Sequence, residues 1–316
     1  MFKIWFERPL PPKHAHLLEN KAVIIGAGSQ TPELTEAQAI IAASSLQYDG
    51  TLMNQAPQLR VIARTGIGVD NVNIPDATAR GVAVCNTPDA PTIATAEHTM
   101  ALLFAVAKQL PWFGRTLQSR ERIDYFAHYN GFELMDARLG LVGLGRIGQR
   151  VAQLAQGVGM QVAGVDPLMP PEKAAQLDIE LMPSLERMLP TVDVLSLHIP
   201  RTPETLGLMN AERLALMKPG AILINAARGG LVDEAALLDA LNRGHLRGAG
   251  LDVLDVEPPP PEHPLLYRDN VVITPHIASA TEPGKDRLWE QAIVQALQYL
   301  NGERPPHLLN PEVFQT

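Results

Sequence analysis

Cysteine is almost missing from this chain, with Cys85 the single one in 316 residues. One thiol excludes an intrachain disulfide framework and fits a reducing compartment, so a cytoplasmic location is expected. The nine histidines never fall in H-E-x-x-H, and no paired-cysteine spacing exists, so no metal site is expected. Blocks of Lys or Arg are also missing. With 26 basic against 34 acidic residues, a net charge of −8 and a pI near 5.6, a nucleic-acid partner is not expected. The longest apolar run, Met100–Ala107, falls far short of the roughly 20 residues that cross a bilayer. The first residues, Met-Phe-Lys-Ile-Trp-Phe-Glu-Arg-Pro, contain no secretory apolar region. Aromatics make up only 5% of the chain, yet six of the fifteen lie within 21 positions: Trp112, Phe113, Tyr125, Phe126, Tyr129 and Phe132. Such an arm either covers its own domain or buries itself in a partner, and a twofold homodimer is the favoured expectation.

What remains is an ordinary globular composition, 46% hydrophobic and 19% charged, at a length that suggests about two domains. Strand-like and helix-like stretches alternate throughout, the pattern of α/β layers around parallel sheets. Phe2–Phe6, Ala22–Ile25, Arg60–Ala63 and Val82–Cys85 read as strands of a small flavodoxin-like unit. A second unit has strands near Leu139–Val142, Gln161–Val165, Val194–Leu197, Ala221–Ile224, Gly248–Leu251 and Val271–Ile273. Its helices are expected to start near Arg146, Asn210 and Asp233. Thr92–Gln118 reads as one long helix bridging two domains, and Pro283–Leu300 as another that returns to the first domain. Pro258–Pro261 marks an extended surface loop.

The second unit opens on Gly143-Leu-Gly145-Arg-Ile-Gly148, a G-x-G-x-x-G between an apolar run and a helix-forming stretch. The first glycine suits a tight turn, the second lets backbone approach a pyrophosphate, and the third lets helix pack on strand. Glycines also gather in ordinary turns, so context decides. The next strand ends in Asp166, 23 residues after Gly143, where an acid can accept hydrogen bonds from the adenosine ribose. An acid there repels a 2′-phosphate, so NAD is expected over NADP.

Carbonyl reduction with a nicotinamide needs a cation for an anionic substrate, an acid/base and a group that orients it. Arg228 in Asn225-Ala-Ala-Arg228-Gly-Gly, Glu257 before the proline run and His276 in Thr274-Pro-His276 all follow expected strand ends. Each also has a plain structural reading: a solvated arginine, a surface carboxylate, a hydrogen-bonding histidine. His198, at another strand end, reads as lining the nucleotide site. His14 and His16 lie in a Pro/Lys-rich stretch and are expected to be solvated.

Together these residues resemble the D-isomer-specific 2-hydroxyacid dehydrogenase family, in its phosphoglycerate and glyoxylate/hydroxypyruvate branch. The resemblance rests on Arg64-Thr-Gly-Ile-Gly-Val-Asp70-Asn71, the glycine fingerprint and Asn225-Ala-Ala-Arg228-Gly-Gly-Leu-Val-Asp. It continues through Gly250-Leu-Asp252-Val, Glu257-Pro258 and Pro275-His276-Ile-Ala-Ser279. It implies an α/β fold of two Rossmann-like/flavodoxin-like domains with parallel sheets and a cleft between them. Residues 1–93 plus 283–316 would bind substrate, and 94–282 would bind NAD and include a dimerisation arm at 112–135. It implies that Arg228 binds the substrate carboxylate and carbonyl, that His276 is the acid/base, and that Glu257 hydrogen-bonds it and favours imidazolium. Thr65, Gly66, Ile67 and Gly68 would donate backbone N–H groups to the carboxylate. Gly143, Gly145, Arg146, Ile147, Gly148, Asp166, His198, Ala226, Arg228, Asp252 and His276 would line the NAD site.

The activity implied is interconversion of a small 2-oxo acid (glyoxylate, hydroxypyruvate or 3-phosphohydroxypyruvate) with its D-2-hydroxy acid. The alternative is an NADH-sensing regulator of the C-terminal-binding corepressor type. A formate dehydrogenase is disfavoured because Glu257 stands where those relatives carry glutamine. Asn73 replaces a common Asp, and Arg287 and Trp289 depart from the usual pattern after the histidine, with core packing the simpler role for Trp289. The sequence ends soon after Asn310-Pro311, so control through a C-terminal regulatory domain is not expected.

Overall fold

The computed structural model describes residues 1–28, 34–119 and 122–314. It divides into two compact units, Met1–Pro91 with Ala280–Thr316, and Thr92–Ser279. Among the described residues no helix is long and apolar enough to cross a membrane, and no group of His, Cys, Asp and Glu could hold a metal ion.

The first unit is built on β1 (Phe2–Phe6), β2 (Ala22–Ala27), β3 (Ala39–Ala42), β4 (Val61–Arg64) and β5 (Ala83–Cys85). They pair in parallel in the order β2-β1-β3-β4-β5, the flavodoxin-like arrangement. β3 was not among the expected strands. Its four residues, Ala-Ile-Ile-Ala, are all buried, so they show no alternation of polar and apolar positions. Strand alternation sends Ile4, Phe6, Ile41, Val61 and Ala63 to one face, and there Ala292, Ile293, Ala296 and Leu297 of the helix Glu282–Leu300 cover them. Trp5, Ile40, Ile62 and Val84 go to the other face with Tyr48 and Met53. Thr281 caps the covering helix by accepting from the Gly284 N–H at 3.1 Å.

Four side chains in this unit are structural. Trp289 stacks at a tilt on Phe6, centroids 6.1 Å apart, and Arg287 donates to the Ala90 carbonyl at 3.0 Å. His14 is 2% exposed and bonds Asp286 at 3.2 Å, which corrects the expectation of a solvated side chain; His16 is exposed. Asn73 caps the helix Ile74–Ala79 through its Oδ1, a task aspartate performs equally well.

The second unit carries β6 (Arg138–Val142), β7 (Gln161–Val165), β8 (Glu180–Leu181), β9 (Val194–Leu197), β10 (Ala221–Asn225), β11 (Leu246–Leu251) and β12 (Val271–Ile273). All neighbours are parallel, in the order β12-β11-β10-β9-β6-β7-β8. The chain therefore runs outward from β6 in one direction, then restarts beside β6 with β9 and runs the other way. That reversal is the topological switch point, where open α/β sheets bind ligands beyond their C-terminal strand ends. Leu139, Leu141, Val194, Ile222 and Ile224 pack against Leu102, Leu103 and Val106 of the helix Thr92–Ala107 and Val151, Ala152 and Ala155 of the helix Arg146–Gly157. Fully burying each such leucine or isoleucine contributes about 1.5–3 kcal/mol.

The expected continuous helix over Thr92–Gln118 is two helices, Thr92–Ala107 and Leu110–Ser119. Gln109 between them has a left-handed φ of +54° and Pro111 follows, so the first helix cannot continue. In the aromatic arm, Phe113 packs edge-on to Trp112 at 4.4 Å and to Tyr129 at 5.5 Å, while Phe126 is 93% exposed. Residues 120 and 121 of the arm lie outside the described residues.

Candidate active site

β6 and β9 end in register, Val142 opposite Leu197, so the loops that follow lie side by side. The glycine loop follows β6. Gly143 has φ +94°, and a Cβ there would strike the His198 carbonyl and Ile199. A Cβ on Gly148 would overlap the Gly143 carbonyl oxygen, so this glycine serves helix-on-strand packing. Gly145 differs from both. Nothing lies within 4 Å of its Cβ position, and it caps the helix Arg146–Gly157 with no side-chain hydrogen bond to the first turn. The chain itself does not require glycine at 145, and the backbone there is open to an external group. The first-turn N–H groups and helix dipole suit an anion at that point.

Asp166 completes the cradle after β7. Its Oδ2 accepts from Leu144 N–H and its Oδ1 from Leu168 N–H, each at 2.8 Å, which fixes the carboxylate beside the glycine loop. Arg146 is exposed at the helix start, with Ile147 half-buried behind it. His198 follows β9; its backbone N–H donates to the Val142 carbonyl at 2.8 Å and its Nε2 lies 2.9 Å from Ser196 Oγ. Burial pushes this imidazole down to about 4, so it is neutral at physiological pH. These residues fit a dinucleotide: a cradle with room over Gly145, an uncapped helix start and a fixed acid after the next strand.

The chemistry-bearing residues follow β10, β11 and β12 in the same unit. After β10, Asn225 shapes the turn, its Oδ1 accepting from Ala227 N–H at 3.0 Å and its Nδ2 donating to the Arg228 carbonyl at 2.9 Å. Arg228 donates to the Ala227 carbonyl at 2.7 Å, and Ala226 is buried. A Cβ on Gly229 would overlap the Leu254 carbonyl oxygen, so this turn presses directly on the loop that carries Glu257. Asp255 accepts from Gly230 N–H at 2.6 Å. Glu234 accepts from Asp255 N–H at 2.8 Å and pairs with His263 at 3.0 Å, tying the two loops together.

After β12, His276 sits at a φ of +53°, a left-handed conformation that costs a non-glycine residue about 1–3 kcal/mol. Asp252, 1% exposed, holds it there. The Asp252 carbonyl accepts from His276 N–H at 2.8 Å. Its carboxylate accepts from Thr274 Oγ1 at 2.6 Å and from the N–H groups of Ile277 and Ala278 at 2.9 and 2.8 Å, and His98 braces Thr274 at 2.9 Å. The outcome is a short bond, His276 Nδ1 to Glu257 Oε2 at 2.7 Å, with Glu257 Oε1 also accepting from Leu254 N–H at 3.1 Å. Partial burial of Glu257 raises its pKa, but the His276 hydrogen bond and charge, the Leu254 N–H and the Arg228 charge outweigh it. The carboxyl is held below its usual range. Arg228, Glu257 and His276 thus form one electrostatic group at three adjacent strand ends.

A model of the D-isomer specific 2-hydroxyacid dehydrogenase NAD binding domain matches residues 100–278, more than half of the chain. The chain belongs to that family. It is 44% identical over 275 residues to D-3-phosphoglycerate dehydrogenase of Mycobacterium tuberculosis strain H37Rv, covering 87% of this chain and 51% of that protein. It is 38% identical over 282 residues to glyoxylate reductase of Korarchaeum cryptofilum, covering 89% and 85%. The TT0316 protein from Thermus thermophilus superposes with a TM-score of 0.89 at 41% identity, over 98% of this chain and 100% of that one. The chain spans about half the length of the mycobacterial phosphoglycerate dehydrogenase.

The structure brings the expected Arg228, Glu257 and His276 together and sets Asp166 beside the glycine loop. Sequence reasoning missed the residues that hold them: Asn225, His98 and Thr274, and the group of Glu234, Asp255 and His263. A polar residue at a strand end, as in Asn225 and Thr274, was the available signal. Thr65, Gly66, Ile67 and Gly68 follow β4 of the first unit, where Thr65 N–H and Oγ1 donate to the Ala42 carbonyl at 2.9 and 3.0 Å.

Proposed function

We propose that this chain is an NAD-dependent dehydrogenase that interconverts a small 2-oxo acid with its D-2-hydroxy acid. Candidate substrates are glyoxylate, hydroxypyruvate and 3-phosphohydroxypyruvate. The observation that carries the reading is the 2.7 Å His276–Glu257 bond, with the Arg228 charge acting on the same carboxylate. The reduced cofactor, when bound, supplies hydride to the substrate C2. Arg228 binds the substrate carboxylate and polarises the carbonyl, a geometry guanidinium suits. His276 gives a proton to the carbonyl oxygen as it gains negative charge, and takes it back in the oxidative direction. Glu257, kept ionised, accepts from Nδ1 and leaves Nε2 as the atom that exchanges the proton. Backbone N–H groups of the Thr65–Gly68 segment hold the substrate carboxylate.

Support for NAD over NADP comes from the Asp166 carboxylate, which disfavours a 2′-phosphate. Support for a homodimer comes from the exposed apolar side chains of the arm region, Leu117 at 67% and Phe126 at 93%; sedimentation of the purified chain reads it. The activity test is NADH consumption with hydroxypyruvate and glyoxylate. Steady turnover is expected, falling about 10²–10⁴-fold in a folded His276→Gln variant. Tight NADH binding without turnover on a broad 2-oxo acid panel overturns the reading.

A further inference from the structure

The side chains of His276 and Glu257 are 48% and 36% exposed, so packing alone does not fix their 2.7 Å bond. Asp252 holds the backbone of His276. Glu257 has no such support from an element of its own. It lies part-way along residues 252–263, which form neither helix nor strand between β11 and the short 3-10 turn that starts at Pro264. Such a stretch stays mobile unless other bonds tie it down.

Glu234, the first residue of the helix Glu234–Asn242, supplies the tie. A glutamate at a helix start needs no further partner, because the N-terminal dipole favours it there even in water. Glu234 is instead only 18% exposed, and both its oxygens bond the stretch that carries Glu257. Oε1 accepts from Asp255 N–H at 2.8 Å, and Oε2 lies 3.0 Å from His263 Nε2. Asp255 precedes Glu257 and His263 follows it, so one carboxylate clasps residues 255–263 at both ends with Glu257 inside. His263 Nδ1 is buried with no hydrogen-bond partner among the described residues, which leaves Glu234 as the anchor of that ring.

The clasp bears on Glu257 through its neighbours. Leu254 N–H, next to the clasped Asp255, donates to Glu257 Oε1 at 3.1 Å, and Asp255 also accepts from Gly230 N–H at 2.6 Å. Asn225, Gly229, Glu234 and Leu254 line one small cavity, so Glu234 stands where the Arg228 turn meets this stretch. The charges acting on Glu257 are those of His276 and Arg228. Glu234 reaches it through hydrogen bonds and backbone, not through its field.

We propose that Glu234 is a positioning residue for proton transfer: by clasping residues 255–263 at Asp255 and His263, it sets the Glu257 carboxylate against His276 Nδ1. The inference rests on the reading that His276 exchanges the proton. A role in stability alone would lower the unfolding midpoint and leave His276 protonation as it is. A positioning role also moves the pH profile, and its effect depends on the presence of the Glu257 carboxylate.

The test follows kcat/KM for hydroxypyruvate with NADH against pH in the wild type, Glu234→Ala, Glu234→Gln, Glu257→Ala and the Glu234→Ala/Glu257→Ala double variant. Reduction requires protonated His276, so the alkaline limb reports how well Glu257 holds that proton. Glu234→Ala is expected to lower kcat/KM near neutral pH by about tenfold and to move the limb down by about half a pH unit. Glu234→Gln, which keeps an acceptor for Asp255 N–H, recovers most of the loss. With Glu257 already truncated, Glu234→Ala costs less than about threefold, because its effect passes through that carboxylate. A limb at the wild-type position in Glu234→Ala, or losses that multiply in the double variant, overturns the proposal. Should Glu234→Ala fail to fold, His263→Phe, which keeps a ring and removes the donor, is read by the same limb and the same cycle. A wild type that turns over neither hydroxypyruvate nor glyoxylate overturns the underlying reading, and this inference with it.

Discussion

Replacing Gly145 with alanine separates what the nucleotide needs from what the fold needs. Gly145 has φ −68° and ψ −165°, open to any L-residue, and its Cβ would meet no chain atom within 4 Å. The fold loses only the difference between glycine and alanine at a helix cap, about 0.5–1 kcal/mol. The added methyl, however, stands where a pyrophosphate must approach the backbone. Losing one or two charge-assisted N–H bonds costs about 1.5–3 kcal/mol, which weakens NADH binding by about 10- to 150-fold. Gly148→Ala is the control with the opposite signature. Its Cβ overlaps the Gly143 carbonyl oxygen, so turn or helix must move, and stability falls by about 1–3 kcal/mol. Urea unfolding reads stability and fluorescence titration reads NADH affinity in both variants. Wild-type NADH affinity in Gly145→Ala, or a loss of stability equal to that of Gly148→Ala, refutes the division of roles among these glycines.

Three further outcomes are expected. His198 has its pKa lowered by burial to about 4, so protons favour the unfolded chain; stability is full above about pH 6.5 and declines as pH falls toward 4. Between pH 7.5 and 5 the loss is about 1–2 kcal/mol by urea midpoint, and a His198→Gln variant showing the same slope would exclude this cause. Asp166→Asn removes the charge that repels a 2′-phosphate, so NADPH affinity relative to NADH rises about tenfold in competitive titration; an unchanged ratio places the discrimination elsewhere. Glu257→Gln keeps a bonding partner for His276 Nδ1 without its charge. Because the His276 and Glu257 side chains are 48% and 36% exposed, water screens the pair and kcat/KM falls only about 10- to 30-fold. A fall of less than twofold in steady-state kinetics would mean that Glu257 does not orient the acid/base.

The second unit was legible because its signals are local. Glycine spacing, apolar strands and a polar residue at each strand end lie within short windows, and six of its seven strands are visible that way. The exception, Glu180–Leu181, is two residues long. β3 escaped because it lies in an alanine-rich stretch, Ala37-Gln-Ala-Ile-Ile-Ala-Ala43, that suits a helix as readily as a strand. The false continuity of Thr92–Gln118 arose because apolar spacing persists through the break, although Pro111 was a stop signal in plain view. His14 and Glu234 were illegible for another reason. Asp286 lies 272 residues from His14, and His263 lies 29 residues from Glu234, so neither environment exists until its sheet has formed.

The division of the first unit between the two ends of the chain sets an order of events during synthesis. Residues 92–279 can fold as soon as they emerge, since every strand of their sheet is contiguous in that stretch. The earlier-made sheet has all its strands by then but not its cover. Ile4, Phe6, Ile41, Val61 and Ala63 lack the cover of Ala292, Ile293, Ala296 and Leu297 until those residues leave the ribosome. The outer strand β5 likewise waits for Leu309 and Asn310, which bond the Val84 carbonyl and N–H at 2.8 Å each. The half translated first is thus the last to close. Throughout elongation it presents an apolar sheet face and an open strand edge, the features that recruit chaperones and promote aggregation.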